Sequence, residues 1–447
     1  MLVLKFGTDG VRGVANLELT PELVLAVGRA AARVLGDGRF VVGRDTRRSG
    51  PLLEAALVSG LAAEGAEVTT LGVAPTPAVA WLAAADGMAG AMISASHNPF
   101  EDNGVKLFTA AGAKLTDAQE SALEEEVHAL LHHEDHRTPR TGGAVGTVVA
   151  RPDEVQRWAR SVAASVEGRR LDGLAVVVDC ANGSAGVAAP ALLARLGAEV
   201  TVLHDEPDGT NINAGCGSTH PDDLRRVVRD RGADLGVAFD GDADRVLAVD
   251  ADGWLVDGDQ IIAVLAVDRH ARGALAQDAV VVTVMSNLGF RQGMAARGIG
   301  VREVPVGDRY VVEAMAAEGI TLGGEQSGHI VFSDLATTGD GLLTAVQLLD
   351  VVVRRGERLG ALAAAAMTRL PQVLHNVRVD RTGLDVGTAL AEPIATVEAG
   401  LGDRGRVLVR SSGTEPLVRV MVEAPTLEEA EAAASTLVEA VAALSGS

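Results

Sequence analysis

A serine and a histidine stand side by side where a short apolar segment ends, in the sequence AMISASHNP at residues 91–99. The apolar residues predict a buried strand. The closing asparagine and proline predict a stiff turn, because proline restricts the residue before it to extended backbone. A serine hydroxyl is a weak nucleophile unless a neighbour activates it. Ser96 is therefore a candidate nucleophile, with Ser94 as its near rival and His97 as a candidate proton carrier.

Three aspartates at alternate positions lie in the sequence DGDADR at residues 240–245. Carboxylate oxygens in such a pattern suit a hard divalent cation. The segment does not fit an EF-hand, whose sixth and twelfth positions need glycine and glutamate, because Arg245 and Ala251 stand there. A nucleophilic serine combined with a metal site predicts phosphoryl transfer. An aspartyl-phosphate enzyme with Asp240 as the nucleophile stays open, although the loop departs from the Asp-x-Asp-Gly-Thr pattern of that class.

Two later loops are rich in groups that could hold a phosphorylated sugar. GGEQSGH at residues 323–329 offers Glu325 and Ser327 to sugar hydroxyls and His329 to a ring-proximal proton, unless it forms only a helix cap or a tight turn. RSSGTEP at residues 410–416 could be a hairpin connection, but it has the donors of a phosphate site. These candidate phosphate ligands are Arg410, Ser411, Ser412, Gly413, Thr414 and, on the next strand, Arg419.

In this order and at these separations, the four loops resemble those of the α-D-phosphohexomutase family, and the resemblance extends over essentially the whole chain. It implies an α/β fold in which three related α/β domains and a smaller C-terminal α+β domain surround a central cleft. It implies an isomerase-class intramolecular phosphotransferase that carries a phosphoryl group on Ser96. It also implies one Mg²⁺, held by a phosphoserine oxygen of Ser96 and by Asp240, Asp242 and Asp244.

The resemblance assigns further roles. Arg12, in an opening TDGVRG motif, and Arg245 are expected to stabilise charge near the reacting oxygen, and Lys106 is expected close to the phosphoserine. The loop at residues 323–329 is expected to bind sugar hydroxyls, and the loop at residues 410–416 the phosphate that does not react. The expected catalytic residues are Ser96, His97, Arg12, Lys106, Arg245 and His329, with the general acid and base undecided among His97, Lys106 and His329.

The loops that differ between branches of this family indicate an amino-sugar substrate. Gln326 stands where the branch acting on glucose and mannose phosphates has methionine, and CGSTH at residues 216–220 and GDRYV at residues 307–311 are similar to the glucosamine branch. Glu325 and the Gln326 carbonyl could accept hydrogen bonds from an ammonium at C2. The expected reaction interconverts glucosamine 6-phosphate and glucosamine 1-phosphate through glucosamine 1,6-bisphosphate. The glucose and mannose branch, a phosphatase and a non-catalytic sugar-phosphate-binding relative stay open as alternatives.

A net charge of −21 argues against nucleic acids and anionic membranes as partners. The same field repels a phosphate dianion, so the substrate must meet a local group of arginines. The candidates are Arg12, Arg245, Arg309, Arg410 and Arg419. The chain has two cysteines and no apolar run of the ~18 residues that a membrane span needs, and we expect it to carry no signal peptide. These features predict a cytoplasmic enzyme acting on a small hexosamine phosphate, with a homodimer as one candidate assembly.

Short β-rich segments alternate with Ala/Leu-rich helical segments, which predicts α/β layers. Thr116 with Gln119 predicts a capping box ahead of a helix through Leu131, and the RDTR turn at residues 44–47 is assigned a structural role. A polar stretch and two later changes in the sequence pattern predict the boundaries of four domains. They are 1–146 with the phosphoserine loop, 147–252 with the metal loop, 253–368 with the sugar loop and 369–447 with the phosphate loop.

Overall fold

The computed structural model describes residues 10–36, 38–132, 137–380, 386–411 and 416–445. The chain divides into two compact units. The larger unit comprises Met1–Met285 and Ile299–Ala363, and the smaller unit comprises Ser286–Gly298 and Ala364–Ser447. Sheets of six, five and four strands belong to the larger unit, and a three-stranded sheet belongs to the smaller one.

The first sheet contains β1 (Val11–Val14), β2 (Arg39–Arg44), β3 (Glu67–Val73), β4 (Ala89–Ile93), β5 (Asp102–Phe108) and β6 (Val148–Ala150). Its strand order is β1-β5-β4-β2-β3-β6. The accompanying helices are α1 (Pro21–Leu35), α2 (Gly50–Ala63), α3 (Thr76–Asp86) and α4 (Asp117–Leu131). A core of mainly alanine, valine and leucine lies between the sheet and α1, α2 and α4. Because β2 is parallel to both β3 and β4, the carboxyl ends of these strands share the edge where α/β sheets bind ligands.

Two details of this sheet bear on the sequence predictions. The predicted capping box is confirmed, since the Thr116 Oγ1 accepts the Gln119 N–H at 3.4 Å at the start of α4. β6 pairs in parallel with β3 as the outer strand, although it follows the predicted domain limit at residue 146. The four domain limits stay predictions.

The second sheet contains β7 (Ala175–Asp179), β8 (Glu199–Leu203), β9 (Leu235–Phe239), β10 (Val246–Asp250) and β11 (Leu255–Val256), in the order β11-β10-β9-β7-β8. Its helices are α5 (Val155–Ala164), α6 (Ala189–Leu196) and α7 (Asp222–Arg231). β7 is parallel to β8 and β9, whereas β9 and β10 are antiparallel. The acidic segment at residues 240–245 is therefore the connection between β9 and β10.

The third sheet contains β12 (Ala279–Thr283), β13 (Gly300–Val304), β14 (Leu322–Gly324) and β15 (Ile330–Phe332), in the order β13-β12-β14-β15. The helices in this part of the chain are α8 (Gly258–Ala271), α9 (Leu288–Ala295), α10 (Asp308–Glu318), α11 (Gly341–Arg355) and α12 (Leu359–Ala366). α9 belongs to the smaller unit. The antiparallel strands β14 and β15 are joined by the loop that carries Glu325.

The smaller unit has an antiparallel sheet of β16 (Gln372–Arg378), β17 (Arg406–Ser411) and β18 (Leu417–Glu423), with β18 in the middle. Its further helices are α13 (Val386–Ala389), α14 (Ala391–Leu401) and α15 (Leu427–Ser445). Glu423 is buried and accepts hydrogen bonds from the Leu288 N–H at 2.8 Å and from Arg406 at 3.0 Å. This carboxylate therefore links α9 to the sheet within the smaller unit.

The helices of the described residues include none with the length and apolar character required to cross a membrane. The cytoplasmic location stays a prediction.

Asp340 connects two helices of the larger unit through one buried carboxylate. Its Oδ1 accepts the Leu343 N–H at 2.8 Å at the start of α11, and its Oδ2 accepts the indole N–H of Trp158 on α5 at 2.9 Å. Both side chains are buried. Burial raises the pKa of Asp340 to about 6, although the hydrogen bonds from Leu343 and Trp158 oppose this shift.

Asp340→Ala should lower the free energy of unfolding by about 2–4 kcal/mol. The lost helix cap accounts for about 1 kcal/mol, and the unpaired buried indole N–H for about 1–3 kcal/mol. Thr116→Ala, which removes only an exposed cap, is the matched control and should cost about 1 kcal/mol. Urea unfolding measures both changes, and equal losses in the two variants would contradict the role of the Trp158 hydrogen bond.

Candidate active site

Ser96 occupies a strained turn directly after β4, in the Ser96 loop (residues 94–99). Its side chain is buried and its φ is 53°, a left-handed conformation that is costly for a residue with a Cβ. The Ser96 N–H donates to the Ser94 Oγ at 2.9 Å, and the Ser94 hydroxyl donates to Asp45 at 2.7 Å. The hydroxyl of Ser94, the rival nucleophile, is thus engaged in supporting the turn.

Arg47 holds the Ser96 loop in place, which agrees with the structural role assigned to the turn at residues 44–47, although the sequence did not indicate which segment the turn supports. The buried Arg47 guanidinium donates to the carbonyl oxygens of Ser96 and Asn98, each at 2.9 Å, and to that of Asp102 at 3.0 Å. Its Nε donates to Asp45 at 2.8 Å. A planar guanidinium can satisfy several acceptors at once, so Arg47 fixes the backbone that aims the Ser96 hydroxyl.

The Ser96 hydroxyl meets the acidic loop (residues 240–245). Ser96 Oγ donates to Asp240 Oδ2 at 2.5 Å. Lys106 Nζ donates to Asp242 at 2.7 Å and to Asp244 at 3.1 Å. Carboxylate oxygens of the three aspartates lie within 4.8 Å of one another, and all three side chains are buried. The structure therefore brings together the predicted nucleophile, the predicted metal ligands and the predicted lysine.

The pKa values of two carboxyls in the acidic loop are shifted in opposite directions. Burial, together with repulsion from Asp244 and Asp242, raises the pKa of Asp240 well above its usual range. Burial also opposes ionisation of Asp244, but Lys106 and His329 hold the pKa of that carboxyl well below its usual range. Within the described residues, Asp242 Oδ1 and Asp244 Oδ1 are buried without a hydrogen-bond partner. Orphaned carboxylate oxygens this close together fit the oxygen ligands of a hard divalent cation.

The two predicted histidines have different surroundings. His97 Nδ1 lies 3.3 Å from Ser96 Oγ. Burial and the nearby cations Arg245 and Arg12 lower the pKa of His97 to about 4. Burial disfavours charge on His329 as well, but the carboxylates of Asp244 and Asp308 raise its pKa. At neutral pH the imidazole of His97 is therefore neutral.

The predicted arginines Arg12 and Arg245 flank this cluster. Arg12 on β1 lies opposite Gly104 on β5. The Arg245 N–H donates to Asp240 Oδ1 at 3.2 Å, and its Nε lies 3.9 Å from Asp244 Oδ1. The Arg245 guanidinium therefore places positive charge beside Asp244.

The Glu325 loop (residues 323–329) adjoins the acidic loop. The Val246 N–H, at the start of β10, donates to the Gly328 carbonyl at 3.1 Å. Glu325 Oε1 accepts the Gly307 N–H at 3.1 Å, and the Ser327 hydroxyl donates to Glu325 Oε2 at 3.4 Å. The two predicted sugar ligands are therefore neighbours, and a backbone hydrogen bond joins their loop to the strand that follows the acidic loop.

Arg309, a predicted substrate ligand, makes its ion pairs elsewhere in this structure. Its guanidinium contacts Asp117 and Glu120 on α4. Lys114 forms an ion pair with Asp308, the residue that precedes Arg309. A phosphate would have to compete with these carboxylates for Arg309.

In the smaller unit, Arg410 and Arg419 are directly opposed on β17 and β18. Burial, and after it the neighbouring charge of Arg419, lowers the pKa of Arg410. Two adjacent guanidinium groups suit a dianionic phosphate. Ser411 ends β17, whereas the predicted ligands Ser412, Gly413 and Thr414 lie outside the described residues.

Comparison with known proteins identifies the family. Profiles described as "Phosphoglucomutase/phosphomannomutase" match the chain in order: alpha/beta/alpha domain I at residues 3–133, domain II at 156–253, domain III at 257–370 and the C-terminal domain at 374–440. The chain belongs to the phosphoglucomutase/phosphomannomutase family. The expected family, the four-domain α/β class and the isomerase-class chemistry are thereby confirmed.

Curated relatives match over nearly the full length. The phosphoglucosamine mutase of Frankia alni is 57% identical over 94% of both chains. That of Moorella thermoacetica is 54% identical over 95% of this chain and 96% of its own.

Solved structures share the fold. A phosphoglucomutase/phosphomannomutase family protein from Burkholderia thailandensis has a TM-score of 0.79 at 25% identity, covering 98% of this chain and 97% of its own. Aspergillus fumigatus N-acetylphosphoglucosamine mutase, solved with GlcNAc-6P and magnesium, has a TM-score of 0.67 at 19% identity, covering 99% and 96%.

Arg47→Lys should lower kcat by about 10- to 100-fold with a smaller change in KM, because an ammonium cannot hold several loop carbonyls and misplacement of a reacting group by about 1 Å costs that much. Arg44→Lys is the matched control, since Arg44 in the same turn pairs with Glu54 at 3.0 Å and not with the Ser96 loop. Steady-state kinetics with hexosamine phosphates measure both variants. Equal kinetics for the two would contradict the positioning role of Arg47.

Proposed function

We propose that this chain interconverts glucosamine 6-phosphate and glucosamine 1-phosphate by way of a phosphoserine at Ser96. The phosphoglucosamine mutases that are 57% and 54% identical to it support the substrate. The observation that carries the chemistry is the 2.5 Å contact between Ser96 Oγ and Asp240, within a cluster of three buried carboxylates. A buried serine that donates to one of these carboxylates suits a phosphoryl carrier.

The proposed reaction consists of two phosphoryl transfers. Phosphorylated Ser96 donates its phosphoryl group to the free hydroxyl of the hexosamine monophosphate, which gives glucosamine 1,6-bisphosphate. The bisphosphate turns end for end, and its other phosphoryl group returns to Ser96. In the first transfer the proton of the attacking substrate hydroxyl passes to the departing Ser96 oxygen, and in the second the Ser96 proton passes to the oxygen that leaves the bisphosphate. His97 Nδ1 lies 3.3 Å from Ser96 Oγ, so we assign it the proton of Ser96 in both steps. Arg12 and Arg245 would stabilise the charge that develops on the transferred group.

Asp240, Asp242, Asp244 and an oxygen of phosphorylated Ser96 would hold one Mg²⁺. When bound, this ion supplies positive charge to the phosphoryl group during both transfers. The two orphaned oxygens of Asp242 and Asp244 support the assignment. Lys106, already bonded to both residues, keeps the carboxylates in place and lowers the local negative charge.

The sugar and the second phosphate would be held by the later loops. Glu325 and Ser327 offer an acceptor and a donor-acceptor to vicinal hydroxyls, and Gln326 is oriented by a 3.4 Å hydrogen bond from its Nε2 to Asp257. The phosphate that does not react would bind in the smaller unit. Its proposed ligands in that unit are Arg410, Ser411, Ser412, Gly413, Thr414 and Arg419. Arg309, in the larger unit, is proposed as a further substrate ligand that would first have to leave its ion pairs.

Labelled glucosamine 1,6-bisphosphate should transfer label to Ser96, because the hydroxyl is activated and positioned for that attack. Peptide mass spectrometry locates the label. Ser96→Ala should lose both label and isomerisation, whereas Ser94→Ala, which alters only the supporting hydroxyl, should still be labelled at Ser96. Label on Asp240, or turnover that survives in Ser96→Ala, would contradict the mechanism, and release of inorganic phosphate in place of isomer would indicate a phosphatase.

The preference for the amino sugar should appear in kcat/KM. Glucosamine 1-phosphate should exceed glucose 1-phosphate and mannose 1-phosphate by about 10- to 100-fold, because both neutral sugars keep a hydroxyl donor at C2 and a site rejects such a near-isostere only weakly. Gln326→Met should reduce this ratio because methionine offers no carbonyl to an ammonium group. Assays under identical bisphosphate activation measure the ratios. A preference for either neutral sugar would overturn the substrate while leaving the Ser96 chemistry intact.

A further inference from the structure

A second group of metal-ligating side chains lies at the carboxyl edge of the second sheet. Asp179 is the last residue of β7, and His204 directly follows β8, its parallel neighbour. Cys216 lies in the segment that leads to α7. The carboxyl ends of neighbouring parallel strands are a common location for ligands in α/β sheets. None of these residues belongs to the Ser96 centre.

The three side chains point at one another. A carboxylate oxygen of Asp179, a ring nitrogen of His204 and the Cys216 sulfur all lie within 4.8 Å of one another. His204 Nδ1 is 3.0 Å from Asp179 Oδ1. This contact pairs the ring with Asp179, so a cation would take the place of the proton between the two atoms. One ion at about 2.0–2.3 Å from each ligand in a tetrahedral site places the ligand atoms about 3.3–3.8 Å apart, so the Asp179–His204 pair would open slightly to admit it.

Neighbouring groups orient these ligands as they do in known metal sites. Asp179 accepts the N–H groups of Ala181 and Gly217, each at 2.9 Å, which fixes its carboxylate. The other ring nitrogen of His204, Nε2, lies 3.4 Å from Asp223. A carboxylate behind the second nitrogen commonly fixes the ring of a metal-bound histidine. Asp179 and His204 therefore have neighbouring groups that hold them in position.

We propose that Asp179, His204 and Cys216 bind one divalent cation of the zinc class. One sulfur, one nitrogen and one oxygen suit a tetrahedral site with three protein ligands and a water, whereas the all-oxygen acidic loop suits a harder ion. Hydrogen bonds also connect the segment that contains Cys216 to the Ser96 loop. Asn213, three residues before Cys216, donates to the Ser96 and Asn98 carbonyls at 2.9 and 3.1 Å, so a bound cation would order the segment that supports the nucleophile.

Titration of the metal-free full-length protein with Co²⁺ tests the proposal. The sulfur-to-cobalt charge-transfer band and the visible bands of tetrahedral Co²⁺ should appear and saturate at one equivalent. One equivalent of Zn²⁺ should abolish the bands by displacement.

Variants locate the site. Cys216→Ala and His204→Asn should lose the charge-transfer and tetrahedral bands, respectively. Cys180→Ala is the matched control, since Cys180 is an equally buried free thiol outside the cluster, and should keep both. Asp242→Asn should keep both as well, because the acidic loop contributes no sulfur. Absence of the bands in the unmodified protein would overturn the proposal, and this result does not depend on how well any variant folds. A charge-transfer band that persists in Cys216→Ala would overturn it as well.

Discussion

Three buried carboxylates within 4.8 Å of one another impose the main constraint on the larger unit. Like charges repel strongly where water is excluded, so the surrounding structure must supply donors and positive charge. Lys106 bonds to Asp242 and Asp244, and Ser96 donates to Asp240. A phosphoryl group on Ser96 would add further negative charge at this point. A phosphoryl group on Ser96 therefore depends on a divalent cation held by the same carboxylates.

The fold satisfies this constraint by bringing strand ends from different sheets together. β4 delivers the Ser96 loop, β9 delivers the acidic loop, and the turn between β14 and β15 delivers His329 beside Asp244, with a 3.7 Å separation. Gly241 allows the first two loops to approach, because a Cβ there would lie 2.6 Å from the Ser96 carbonyl oxygen. The sheets are thus rigid supports for groups whose relative positions decide the chemistry.

The sequence predicted the chemical groups better than their supports. Ser96 and the acidic loop carry their identity in residue type and spacing, so their association could be expected from the amino-acid sequence alone. Arg47 could not be predicted, because its acceptors lie 49 to 55 residues away and are backbone carbonyls without a residue signature. The ion pairs of Arg309 with α4 likewise depend on tertiary packing. β6 joins the first sheet through pairing with β3, which local pattern does not encode.

A cation shared between the phosphoserine and the acidic loop can be tested by ³¹P NMR of the phosphorylated protein during addition of Mn²⁺, which replaces Mg²⁺ at oxygen sites. If a phosphoserine oxygen and the three carboxylates share one ion, the phosphoserine resonance should broaden severely at one equivalent of Mn²⁺. Excess Mg²⁺ should restore it, and Asp242→Asn should weaken the effect. A resonance that stays sharp in the unmodified protein at saturating Mn²⁺ would contradict a shared centre at Ser96.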